Sequence, residues 1–323
     1  MAPHFPVWSQ NATGMLQFTV WTALEAEGFG ASLQHHAAYA DEISSGILSE
    51  FGLPETWKCT ALLPFGGRVG EPGQPGREKT FKPIGERVRV INDIGALQST
   101  QQIIPPQPEP STATSTAFLR TVKARRTYYG LSKASPISDA EIRAIVESAV
   151  TNVPSAFNSQ TSRAVVVTGK SYQKLWEIVR AGYIKSLGDK APAAIIQQNE
   201  AKIGGYAAGY GTVLFFEDQA TIDTFAAQIP AVAAHFPVWS QNATGMLQFT
   251  VWTALEAEGL GASLQHHAAY TEEIASGILA EFDLPKTWKC TALLPFGVPL
   301  APPGAPGREK TFMPIAERVR VIA

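Results

Sequence analysis

Cysteine is nearly absent. Only Cys59 and Cys290 occur in 323 residues, at matching positions of an internal repeat. Two thiols make no disulfide framework, so stability must come from a buried core. A reducing compartment fits, the cytoplasm with the nucleus as a further option. Charge is sparse too, at 17% of residues with a net of −2. A nucleic-acid or acidic-membrane partner would require a basic excess, which is lacking. There is no run of 18 apolar residues, so no membrane-spanning helix is expected. MAPHFPVW places no basic stretch ahead of an apolar one, so no secretory signal is expected either. Without one, the glycosylation-like Asn11-Ala12-Thr13 and Asn242-Ala243-Thr244 imply nothing. No Ser-His-Asp order, Walker loop or Cys/His cluster occurs, which leaves hydrolase and NTPase chemistry without residues. What the chain does hold is 45% hydrophobic residues, enough for a sizeable core.

It also holds one segment twice. Residues 4–91 align without a gap on 235–322, with 15 differences in 88 positions. Six differences fall in one turn-rich loop, where GGRVGEPGQPG (66–76) faces GVPLAPPGAPG (297–307). Two more are Lys82/Met313 and Gly85/Ala316. The apolar positions scarcely change, so both copies require the same packing surroundings. A solenoid would need three or more short units. The pattern is a duplicated half-domain. Between the copies, 92–117 is rich in Pro, Ser, Thr and Gln and reads as a flexible linker. Residues 118–234 occur once. The expected organisation is therefore 1–91 as a half-domain incomplete alone, 92–117 as linker, and 118–323 as one complete domain.

Periodicity predicts the elements. FLRTVKARRTYY (118–129) reads as a helix. Ser138 to Glu141 forms a capping box opening a helix to about Val150. AVVVTG (164–169) and TVLFFED (212–218) are buried strands, with helices at 172–187 and 220–230. HFPVWSQNATGMLQFTVWTALEAEG, starting at His4 and again at His235, is apolar on more than one face and predicts a helix buried on several sides. GASLQ (261–265) and WKCTALLPFG (288–297) are strands around a helix at 271–282, and ERVRVI (317–322) alternates like an edge strand. The fold class is α+β. Copy one lacks the two most apolar strands, so it should not fold well alone.

Four stretches could carry chemistry. ARRTYYGL (124–131) offers adjacent guanidiniums and a hydroxyl at a helix end, able to clamp a phosphate or simply to be solvated. VPSAFNSQ (153–160) is a polar turn whose Asn158 and Gln160 can each donate and accept, as a uracil-like edge requires, or can serve an ordinary turn. LEAEGLGASLQHH (255–267) runs from a glycine-rich helix exit into a strand. His266 and His267 point to opposite faces of a strand, which argues against a metal site. GREKTF (307–312) sets Arg308 and Lys310 two apart, on one side of an extended chain.

In this order the four stretches resemble the nitroreductase family of flavoenzymes, and most closely its fungal subgroup tied to fatty-acid regulation and oxidative stress. The resemblance covers about 117–323 and, through the repeat, 4–91. It implies a central, mostly antiparallel sheet flanked by helices, and a long buried helix at a dimer core. It implies FMN with Arg125, Arg126, Thr127, Arg308 and Lys310 on the phosphate side. Pro154, Ser155, Asn158 and Gln160 would reach the flavin bound mainly by the other subunit. Gln265 and His266 would sit where a backbone amide approaches flavin N5. The implied activity is ping-pong hydride transfer from NADH or NADPH to a nitroaromatic or quinone-like small molecule, in a homodimer. The flavin carries the chemistry, so no indispensable acid or base side chain is expected. The other class is a non-catalytic regulator in lipid or oxidative-stress signalling that keeps the flavin fold.

A complete site of that kind needs the 124–131 stretch, one repeat copy, and the 153–160 loop of another unit. One chain has a single 118–234 unit and two copies. Three arrangements follow. Residues 118–323 form the working protomer of a homodimer and 1–91 is displaced, loosely folded or exchanged, an outcome favoured by the short connection at Pro230. Alternatively, 1–91 complements 118–234. Or the chain carries no flavin, and copy one occupies the dimer face and blocks it.

Overall fold

The computed structural model describes residues 4–38, 41–73, 78–92, 95–98, 114–188, 191–269, 271–304, 307 and 309–322. In chain order the elements are α1 (Phe5–Ala26), β1 (Phe29–Ala31), α2 (Asp41–Glu50), β2 (Phe65–Gly67), β3 (Val88–Asn92), β4 (Gly95–Gln98) and α3 (Ser115–Ala124). They continue with α4 (Asp139–Asn152), β5 (Ser162–Thr168), α5 (Gly169–Ser186), α6 (Ala193–Ala207), β6 (Gly211–Asp218) and α7 (Gln219–Gln228). Last come α8 (Phe236–Ala257), β7 (Gly261–Ala262), α9 (Glu272–Glu281) and β8 (Trp288–Gly297).

Six strands form one sheet in the order β4-β3-β5-β6-β8-β7, and every neighbouring pair is antiparallel except β3 with β5. The fold is thus α+β with a mostly antiparallel sheet. Every residue of β5 and β6 is buried, as expected of strands whose two faces are both covered. On one face Ile142, Val146 and Val150 of α4 meet Leu247, Val251 and Leu255 of α8. On the other, Leu175, Trp176 and Val179 of α5 pack with Ile203 of α6 and with Ile274 and Ile278 of α9. The start of α4 is fixed by the expected capping box: Ser138 Oγ accepts from the Glu141 amide, and Glu141 Oε2 accepts from the Ser138 amide.

The two repeat copies fold differently. Helices α1 and α8 have the same 22 residues, yet 15 are buried in α8 and two in α1. The 118–234 unit covers α8, whereas the outward side of α1 has no such cover among the described residues. Leu247 is 1% exposed and its counterpart Leu16 61%. WKCTALLPFG is a full strand beside β6 in copy two. In copy one only the end of that segment is extended, as β2 against β1.

Copy one is also not displaced, contrary to the arrangement favoured by the sequence. Its helix crosses α8, where Asn11 Nδ2 donates to the Gln241 carbonyl at 2.8 Å and Asn242 Nδ2 donates to the Gln10 carbonyl at 2.9 Å. Its last segment supplies β3, paired with β5 from Val88↔Ala164 to Ile91↔Val167. The expected linker therefore yields its first residues to the sheet, as the end of β3 and as β4, and its last to α3; 99–113 lies outside the described residues. The matching tail of copy two has no sheet edge. Val90 is 5% exposed and its counterpart Val321 is 91%, so ERVRVI at 317–322 is not the edge strand its alternation suggested. Among the described residues no helix is long and apolar enough to cross a membrane.

Candidate functional site

Helix α3 stops at Ala124, five residues short of the predicted end, because the chain must extend to meet β7. There Thr127 bridges to Ala262, and the Tyr128 amide donates to the Ala262 carbonyl at 3.0 Å. This extension places Arg125 at the end of α8. Its guanidinium lies over the Trp252 ring at 4.2 Å and near Phe249 at 5.5 Å. Burial holds Arg125 below its usual range, opposed by the Glu256 carboxylate. The Arg126 amide donates to Glu256 Oε2 at 2.7 Å. Lys310 approaches from the second copy, and its ammonium is lowered by burial and then by Arg125 and Arg126. Three cations and the Thr127 segment thus converge. Arg308 lies outside the described residues.

From Ala262 the chain runs on to Gln265, whose backbone pairs reciprocally with Leu293 at 2.8 Å in each direction. The Gln265 side chain donates to Ser263 Oγ at 2.8 Å. His266 follows, half-buried, and desolvation with His4 nearby pushes its imidazole down to about 4. It is therefore neutral at ordinary pH. Its ring faces Trp8 of copy one at 5.4 Å. An extended stretch from Ala262 to His266 covers about 13 Å. The site is a cationic end joined to an uncharged aromatic end.

Three buried atoms here have no partner in the fold: Trp252 Nε1 and, at the two ends of the site, Arg125 Nε and His266 Nε2. Unsatisfied buried polar groups are costly and usually have a reason. A ligand with an anion at one end and a heteroaromatic ring at the other satisfies the last two, which is the shape and charge of FMN. Arg125, Arg126, Thr127 and Lys310 would hold its phosphate, and Gln265 and His266 would flank its ring.

The second predicted group lies elsewhere. Pro154 and Ser155 line a cleft of about 140 Å³ with Trp21, Leu33, His35 and Trp239. Trp239 and Trp252 are 13 positions apart on α8, about 20 Å along the axis. One chain therefore divides the expected residues between the two ends of its central helix. Phe157, Asn158 and Gln160 all adopt left-handed φ, near 55°, 53° and 51°, a conformation that costs non-glycine residues. Phe157 rests on Phe236 and Trp239, whereas copy one holds the other two. Asn158 Nδ2 and Gln160 Nε2 donate to the Thr80 carbonyl at 2.7 and 3.0 Å, and Gln160 Oε1 accepts from the Lys82 amide at 2.9 Å. These amides, read as groups for a flavin edge, instead grip the tail that leads into β3. They already have partners, which the sequence could not reveal.

Trp8, Trp252, Glu256 and His35 escaped sequence reasoning. The signal was present in the repeat itself: Trp8 faces His266 as its counterpart Trp239 faces His35 at 5.6 Å.

The nitroreductase family model matches residues 122–298. Two Saccharomyces cerevisiae proteins, HBN1 and the nitroreductase FRM2, are 36% and 34% identical over 198 residues, 61% of this chain and 93% of each relative. The solved structure of nitroreductase CinD from Lactococcus lactis in complex with nicotinic acid is 38% identical, with a TM-score of 0.56, covering 64% of this chain and 100% of that one.

Proposed function

Because the chain belongs to the nitroreductase family, we propose that it is an FMN-dependent oxidoreductase using NADH or NADPH to reduce nitroaromatic or quinone-like acceptors by a ping-pong route. The carrying observation is the convergence of Arg125, Arg126 and Lys310 beside Thr127, at one end of an uncharged aromatic wall made by His266 and Trp8. When bound, FMN supplies the two-electron chemistry. The protein's part is narrower. Its cations bind and orient a phosphate, its extended segment 262–266 sets the ring's depth, and neutral His266 contributes no competing charge beside the ring. CinD is solved with nicotinic acid, and other structures of it contain chloramphenicol and 4-nitrophenol. Flat aromatics of that class are the proposed substrates here.

One observation favours the regulatory reading. Asn158 and Gln160, the amides expected at the flavin edge, are engaged with the copy-one tail. The spectrum of the purified chain separates the two. A flavin band bleached by NADH or NADPH and restored by 4-nitrophenol supports the enzyme. A flavin that neither nucleotide reduces supports the regulator, and absence of flavin after incubation with FMN refutes both. A homodimer through 118–323 is the alternative assembly, and it requires α1 to leave α8 and β3 to leave β5.

A further inference from the structure

We propose that Trp8 of the first repeat copy walls the Arg125 site in place of a second subunit, so that a single chain binds one flavin as a monomer. The inference rests on the flavin reading above.

The repeat provides an internal comparison. The Trp8–His266 pair has ring centroids 5.4 Å apart at 48°, and the Trp239–His35 pair 5.6 Å apart at 47°. Each pair takes its tryptophan from one copy and its histidine from the other. Such reciprocity is the mark of an isologous contact, which normally joins two chains. Here both sides belong to one chain. The same reciprocity holds at the helix crossing, in Asn11 to Gln241 and Asn242 to Gln10. Seating of β3 on β5 ties the first copy down at a second place. Covalent linkage gives this contact a high effective concentration that a second chain must overcome.

The chemistry of the wall matches a neutral ring. Trp8 also stacks on His4 at 5.7 Å and 28°. Beside these rings, His266 presents one buried ring nitrogen without a partner, Nε2. Indole over an uncharged heteroaromatic is a favourable stack. The loop Pro154–Gln160 stands on the His35 side, where it grips the tail of copy one. Trp8 is therefore the cover that this chain brings to the His266 side.

The test uses the full chain incubated with FMN, with mass from light scattering and flavin counted by absorbance. The expected result is one FMN at a mass of 34.7 kDa, independent of concentration. Trp8→Ala should weaken FMN binding roughly tenfold and raise the fluorescence of bound flavin, because a stacked indole quenches it. Trp8→Phe should restore most of the affinity, and Trp21→Ala, which alters the His35-side cleft, should change neither. FMN found in a species of twice the mass, or a folded Trp8→Ala chain with unchanged affinity and fluorescence, overturns this inference and leaves the flavin reading intact. A folded chain that binds no FMN at any mass overturns the flavin reading itself.

Discussion

Gly14 lies against the backbone carbonyl of Asn242, and Gly245 lies in the same way against that of Asn11. A Cβ on either glycine would enter the other helix's main chain. The crossing of α1 and α8 therefore depends on two positions without side chains, supplied by the same residue of each copy. Gly14→Val should separate the helices at a cost of about 1–3 kcal/mol, as overpacking does. The expected readout is a lower unfolding temperature with new protease cuts within 1–91. Unchanged melting and cleavage would show that α1 does not pack on α8 in solution.

Arg125, half-buried over the Trp252 ring, stands at the proposed phosphate end. Arg125→Ala should weaken FMN roughly 10- to 100-fold, the effect of losing a charge-assisted contact. Riboflavin, which has no phosphate, should bind both proteins alike. Titrations that show equal losses for the two ligands would move the phosphate away from this arginine.

Gln160 holds the copy-one tail through the Lys82 amide, the Thr80 carbonyl and Arg87 Nη1, the last at 3.2 Å. Gln160→Ala takes this acceptor from buried Arg87 and from the Lys82 amide and leaves the Thr80 carbonyl with Asn158 alone, at about 1–3 kcal/mol. Amide exchange in Val88–Ile91 should accelerate roughly 5- to 100-fold, while β6 stays protected. Equal acceleration in both strands would mean global loosening rather than release of the tail.

Glu217, in the middle of the sheet, has its carboxyl pushed up to about 7 by burial, although Ser162 Oγ donates to it at 2.5 Å. The unfolded chain releases that proton near 4.5. Between these values the native protein binds more protons, so this group's contribution to stability falls as pH rises and is lost above about 7. Glu217→Gln keeps the shape of the protonated acid. The variant should therefore gain on the parent as pH rises from 5 to 8, by at most on the order of 3 kcal/mol. Denaturant midpoints at both ends of this range measure the difference, and parallel curves would contradict it.

Local patterns revealed much of the fold. The capping box at Ser138, the all-buried strands β5 and β6, and the helix after each were legible because each is encoded within a short window. Helix α6 went unseen, since its glycines and glutamines give little periodicity. The decisive miss was long-range. WKCTALLPFG becomes a strand in copy two because β6 lies beside it, and mostly does not in copy one, where 118–234 provides no second β6. The cationic half of the site was legible as residues, since Arg125, Thr127 and Lys310 do converge with copy two. Which copy would meet Asn158 and Gln160 was not, because β5 can seat either tail's pattern and tertiary competition decides.

The seating of β3 on β5 has a consequence for biosynthesis. On the ribosome the first tail is made before the strand it joins, and the second tail well after. At about 5–20 residues per second, the interval between finishing β6 and emerging at Val319 is on the order of 5–20 s. During that interval the nascent chain holds one tail and one vacant edge. Order of translation thus gives the first copy a head start over an almost identical rival, before the rival exists.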